Sequence, residues 1–300
     1  MTARGEEQDA AVTPAFPWVA AVGFVLVWSS GYIAGPAGVD AVEPFTLLAA
    51  RFVLATALLV PLARWLRGPL RIDRGTLLRV GVVGLVMNAV QFGLMYLAFD
   101  AGLGATLGAL LHSLSPVLTV VLAGVLLGER VRPVQVIGLV VGVAGVLIVL
   151  GPEVDAAGGA IGVTLGLLSM LSLSLGTLGQ RWIHTTVDPW WSASIQFAVS
   201  IPPLLVLALA LESSPVDDPV AGGIALAYLA VVNSIVGLML LGAVVRRGGA
   251  GASSSVFFLM PPVTAVMAWL VLGETLDLRE LVGLVVAITG VAVATLRPRR

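Results

Sequence analysis

Residues 104–146 read GATLGALLHSLSPVLTVVLAGVLLGERVRPVQVIGLVVGVAGV, and residues 249–291 read GAGASSSVFFLMPPVTAVMAWLVLGETLDLRELVGLVVAITGV. Laid over one another at an offset of 145 residues, 16 of these 43 positions are identical without a gap. Composition alone would supply the matching valines and leucines. It would not align Pro116-x12-Glu129 with Pro261-x12-Glu274, or Gly128-Glu129 with Gly273-Glu274. Outward from this core the register holds back to Asn88 and Asn233, and to Glu43-Pro44 and Asp188-Pro189. One structural unit is therefore written twice.

The solvent of that unit follows from composition. Of 300 residues, 58% are hydrophobic and 11% charged, and mean hydropathy is +1.05. Soluble domains carry about 25% charged residues, so this chain has too little polar surface to cover a globule in water. Apolar runs near the roughly 20 residues of a spanning helix fall at about 18–35, 44–63, 77–99, 103–127, 134–150, 161–182, 190–211, 224–245, 252–272 and 281–296. They are too long, and too little alternating, for the strands of a membrane barrel. The expected fold is all-α and integral to a membrane, with about ten helices in two five-helix repeats. The expected divisions are a cytoplasmic tail at 1–17, repeats at 18–152 and 158–296, and a basic tail at 297–300. Residues 1–17 lack a basic start and a small-residue cleavage site, so no signal peptide is expected.

Charge placement gives direction. All sixteen basic residues are arginine. Arg64, Arg67, Arg71, Arg74 and Arg79 surround the second connection, Arg130 and Arg132 the fourth, Arg181 the sixth, Arg246 and Arg247 the eighth. Odd connections carry Asp40, Glu43, Asp100, Glu153, Asp155, Glu212, Asp217 and Asp218, with Arg279 as their one arginine. The positive-inside rule then puts both termini in the cytoplasm of a bacterial-type inner membrane. Five helices per unit is an odd number, so the second copy is inverted. Inverted repeats are common in secondary transporters, whose sites lie near the midplane between the halves.

Several residues inside the spans carry candidate chemistry. Arg51 lies seven residues into its helix. A charge at that depth faces a cavity or a partner, here a substrate anion or helix carbonyls. Its repeat mate is the neutral Gln196. His112 shares a helical face with Ala105, Gly108 and Ser115, and is a candidate proton carrier or a polar helix contact. Its mate, Phe257, cannot titrate. Asn88, Gln91 and Asn233 bring amides into paired spans, to bond a ligand or join helices. Trp28 and Tyr32 lie deep enough to line a cavity for cargo with apolar or aromatic parts. Pro116 and Pro261 interrupt long helices, as broken binding helices or as packing kinks. Glu129 and Glu274 end equivalent helices and are read as caps of the helix that follows, or as gates. Gly138-x3-Gly142 and Gly283-x6-Gly290 offer small faces for close helix contact.

Together, Trp28-Ser-Ser-Gly-Tyr32, Glu43-Pro44-x6-Arg51, the Ala105…Pro116…Gly128-Glu129 helix, the glycine-rich fifth helix and the second copy at Pro261…Gly273-Glu274 resemble the drug/metabolite transporter superfamily. The likeness is to its ten-helix EamA-type members and covers about residues 18–296. It implies an exporter of metabolites or drugs with a central cavity open alternately to each side. The expected cargo is amino acids or related compounds. A passive channel or a membrane sensor is the other reading.

Other classes are set aside on the residues. No Gly-x4-Gly-Lys-Ser/Thr, Gly-x-Ser-x-Gly or His-Glu-x2-His pattern occurs, and cysteine is absent; ATP-driven or enzymatic chemistry has no motif here. No catalytic residue, metal or cofactor is expected, since His112 and His184 alone build no metal site. With a net charge of −1 no nucleic-acid partner is expected. The expected partners are a small-molecule substrate, the lipid bilayer and, as one option, a second copy of the chain.

Overall fold

The structure is a computed structural model that describes residues 18–151, 158–183, 187–213, 216–244, 257 and 259–295. The two tails, Arg246–Arg247, His184 and Ser253–Ser255 lie outside the described residues. Nine described helices are at least 18 residues long and apolar enough to cross a membrane. They are α1 (Trp18–Val39), α2 (Pro44–Arg67), α3 (Arg74–Asp100), α4 (Ala105–Leu127), α5 (Pro133–Leu150), α6 (Gly159–Ile183), α7 (Pro189–Leu211), α8 (Pro219–Val244) and, after α9, α10 (Leu278–Thr295). The tenth, α9 (Met260–Leu272), has 13 described residues. Large side chains such as Val125 and Leu209 are 76% and 86% exposed along the flanks. Lipid explains such exposure; water does not.

The local chemistry of the helix ends repeats at the 145-residue offset. Pro44 and Pro189 open α2 and α7, where their missing N–H costs nothing. Gly128 and Gly273 close α4 and α9 at φ of 69° and 71°, a left-handed turn that favours glycine. Leu114, just before Pro116, interrupts α4 at φ −77°, ψ −16°, and Leu259 has φ −81°, ψ −11° just before Pro261. The two prolines thus begin fresh helical segments at equivalent places. Five spans per unit make equivalent helices run in opposite directions.

Two of the seams between the repeats bear most on the site, beside those of α3 with α6 and α1 with α9. The first is α5 against α10, where glycine lets backbones meet. A Cβ on Gly283 would lie 2.7 Å from the Gly145 oxygen and the Val149 nitrogen, and one on Gly290 would lie 2.7 Å from the Gly138 oxygen. The small faces read in the sequence are consumed within the chain. The second seam is α2 against α7, tied at both ends. Arg67 pairs with Asp188 at 3.2 Å, and the Trp191 indole N–H donates to the Gly68 oxygen. At the opposite end Glu212 accepts from the Phe45 and Thr46 amides at 2.6 and 2.9 Å. Arginines gather at the first of these ends; Glu43, Asp100, Glu212 and Asp217 gather at the other.

Candidate functional site

Arg51 sits seven residues inside α2, and the fold buries it to 3% exposure. Its Nε donates to Ser234 Oγ at 3.1 Å, one terminal nitrogen to the Tyr96 hydroxyl at 3.0 Å, and the other to Asn233 Oδ1 at 2.9 Å. The guanidinium carbon stands 4.6 Å from the centre of the Phe92 ring, a favourable cation–π distance. Two of its five N–H donors have no acceptor among the described residues. No carboxylate among the described residues pairs with it. Ser234 and Asn233 belong to the second repeat, so the buried charge lies on the boundary between the halves.

A local distortion of α8 brings those partners in. Residues Tyr228–Val236 wind as a π-helix, and so do the equivalent Leu85–Val90 of α3. Each wide stretch holds one of the paired asparagines. Wide turns inside α-helices occur at functional sites and redirect side chains. Asn233 uses its amide N–H on the Val27 oxygen at 2.9 Å, leaving its oxygen for Arg51. Asn88 donates to the Gly84 oxygen at 3.2 Å.

Around Arg51 lies a cavity of about 360 Å³. Trp28, Asn88, Phe92, Gln196 and Asn233 line it, and it runs to Gln180, Ile183 and Pro189 at the arginine-rich end. A smaller chamber of about 40 Å³ continues past Arg51 to Tyr32, Gln91 and His112. Of the residues singled out from the sequence, Trp28, Tyr32, Arg51, Asn88, Gln91, His112, Gln196 and Asn233 therefore meet in one connected region. Phe257 lines neither chamber: it packs edge-on against Phe24, 5.4 Å between ring centres, and behind Trp28 at 6.5 Å.

The small chamber has a directed hydrogen-bond chain. Ser169 gives its proton to the Gln91 carbonyl at 2.7 Å, so it can only accept from His112 Nε2 at 3.0 Å. Nδ1 is then the acceptor for the Tyr32 hydroxyl at 2.8 Å. The neutral imidazole is fully satisfied by this arrangement. A second proton on Nδ1 would require the Tyr32 hydroxyl to turn away.

At the acidic end bonds tie one repeat to the other. Glu274 accepts from the Ala105 amide at 2.7 Å, the Thr106 amide at 3.3 Å and the Thr106 hydroxyl at 2.8 Å. It caps α4 of the other repeat rather than the helix that follows it. The start of α10 has its own cap, in which Asp277 and Glu280 bond each other's backbone. Glu129 also caps no following helix; it forms an exposed ion pair with Arg181 at 3.0 Å. Nearby, Asp217 and Asp218 amides donate to the Ala41 oxygen. Glu43 in this cluster has its carboxyl pushed up, first by burial, then by Glu212, Asp100 and Asp217.

The fold and site define a polytopic helical membrane protein with a charged cavity between inverted repeats. The EamA-like transporter family model matches residues 16–151 and again 160–296, and the chain belongs to that family. It is 26% identical over 276 residues to a probable amino-acid metabolite efflux pump of Escherichia coli, covering 89% of this chain and 90% of that one. It is 28% identical over 174 residues to the uncharacterized transporter YvbV of Bacillus subtilis, covering 58% of this chain and 57% of that one. The chain thus spans a little over half the length of the Bacillus relative. A WAT1-related chloroplastic protein of Arabidopsis thaliana is 26% identical over 292 residues, 91% of this chain and 68% of that one. Among solved structures, one of 20% identity superposes with a TM-score of 0.66 over 93% of this chain and 98% of the other, a likeness of fold.

Proposed function

We propose that the protein is a secondary transporter that exports small organic metabolites bearing a carboxylate, amino acids and related compounds, by alternating access. The observation that carries this is Arg51: a buried cation that, among the described residues, has two spare donors and no acidic partner, with a cavity in front of it. A carboxylate entering from the arginine-rich end would supply the missing charge and acceptors. The arginines at that end favour the cytoplasm by the positive-inside rule. On that reading the cavity is loaded from inside while the Glu274, Glu212 and Ala41 contacts hold the outer side shut. Transport would exchange these contacts as one repeat rocks against the other. The efflux-pump name of the E. coli relative supports the direction and the cargo class.

The test is flux by purified protein in liposomes against a panel of amino acids, carboxylates, nucleosides and cationic drugs, with and without a pH gradient. Saturable counterflow of carboxylates is the expected result. Non-saturable flux would replace the carrier with a channel, and no flux would remove transport altogether. His112→Ala tests coupling in the same assay: a flattened pH profile is expected if the Tyr32–His112 pair relays protons, and an unaltered profile discards that role.

A further inference from the structure

We infer that this cavity selects monoanionic organic acids with an apolar or aromatic body over zwitterionic amino acids of the same shape. The inference rests on the carrier reading and narrows its cargo. Arg51 contributes a full positive charge, and neither chamber has a carboxylate among its described lining residues. An amino acid brings an ammonium group alongside its carboxylate. That ammonium must leave water, and it enters a space whose one charged group among the described lining residues has the same sign.

The remaining polar groups do not offset this. The side-chain amide oxygens of Asn88, Gln91, Gln196 and Asn233 are neutral acceptors and do not cancel an ammonium charge. The Gln196 oxygen accepts from Gln180, and its amide donates to Ser192. The Asn233 oxygen already faces Arg51. Two of the aromatic faces are also engaged: Phe92 lies under Arg51, and Phe197 stacks on Phe52 at 5.1 Å and 12°. What the cavity does offer beyond the arginine is apolar wall, including Ile183, Val187 and Leu238. A carboxylate at one end and a hydrocarbon or ring at the other fit that polarity; a second charge does not.

The experiment compares three near-isosteric ligands on the full chain in liposomes, with protein-free liposomes as background: phenyllactate, phenylalanine and phenylalaninamide. They are an anion, a zwitterion and a cation. Phenyllactate is expected to exchange about tenfold faster than phenylalanine, with no flux of the amide. Thermal stabilisation of the purified wild-type protein should follow the same order, a readout that needs no variant. Asn88→Asp adds a carboxylate to the cavity and should shrink the preference towards unity. Phenylalanine exchanging as fast as phenyllactate would overturn this inference while leaving the carrier standing. Absence of flux for every carboxylate in the wider panel would overturn the carrier reading and this inference with it.

Discussion

Position 51 and position 196 are the same place in the two repeats, and they have become opposites. Arg51 is charged and reaches across the boundary to Asn233 and Ser234 of the second repeat. Gln196 is neutral and bonds Gln180 and Ser192, both within its own repeat. The difference extends to the surroundings. By the 145-residue offset, the mates of Asn233, Ser234 and Tyr96 are Asn88, Ala89 and Leu241. One asparagine survives in each cradle, but Ala89 and Leu241 lack the hydroxyls that Ser234 and Tyr96 offer the guanidinium. Duplication kept the frame, with its proline starts, glycine ends and π-helical turns. Divergence made the site one-sided.

The largest expected effect comes from moving the charge. On the proposed carrier reading, Arg51→Ala should lower transport by about a hundredfold, since the carboxylate loses its buried counter-charge and Ser234, Tyr96 and Asn233 lose their donor. The exchange Arg51→Gln with Gln196→Arg should not recover flux, because Ala89 and Leu241 stand where Ser234 and Tyr96 hold Arg51, leaving Ser192 as the hydroxyl bonded at position 196. Recovery by the double variant would mean that the repeats are interchangeable and the cradle irrelevant.

Next comes the seam the repeats share. Gly283→Ala places a methyl against the Gly145 oxygen and Val149 nitrogen and should cost roughly 1–3 kcal/mol of thermal stability as α5 and α10 part. An unchanged melting temperature would mean that this seam yields freely. The equivalent glutamates separate more finely. Glu274→Gln weakens a cap on α4 and should cost about 1 kcal/mol, whereas Glu129→Gln breaks an exposed pair worth at most about 0.5 kcal/mol. Equal losses would contradict the assignment of Glu274 to the seal.

The smallest effect is at Glu43. Its carboxyl is raised by burial and by the neighbouring Glu212, Asp100 and Asp217. The folded state therefore disfavours its charged form, a penalty present at neutral pH and lost below the ordinary glutamate value of about 4.3. Glu43→Gln should raise thermal stability slightly at neutral pH and leave it unaltered in acid.

Much of the frame was legible because it rests on local signals. Long apolar runs, proline at helix starts and glycine at helix ends mark the spans, and the aligned Pro116/Pro261 and Glu129/Glu274 mark the repeat. Arg51 stood out because a mid-span charge needs a reason. Its partners did not: Ser234 is 183 residues away, and nothing at that separation announces a bond. The same distance hid Glu212 on Phe45 and Thr46, and Glu274 on α4. Nothing local in the sequence marks Ser169, yet it bonds His112 at 3.0 Å. The π-helical turns had no signature beyond the paired asparagines.

The central claim is a cavity between inverted halves that reaches the arginine-rich face and is closed at the acidic one. The chain has no native cysteine, so Ala193→Cys, on the cavity wall, puts a single thiol where the claim is sharpest. A membrane-impermeant thiol reagent should modify it from the arginine-rich face, not from the acidic face, and a transported carboxylate should slow the reaction. Modification from the acidic face alone, or equally from both, would contradict the account.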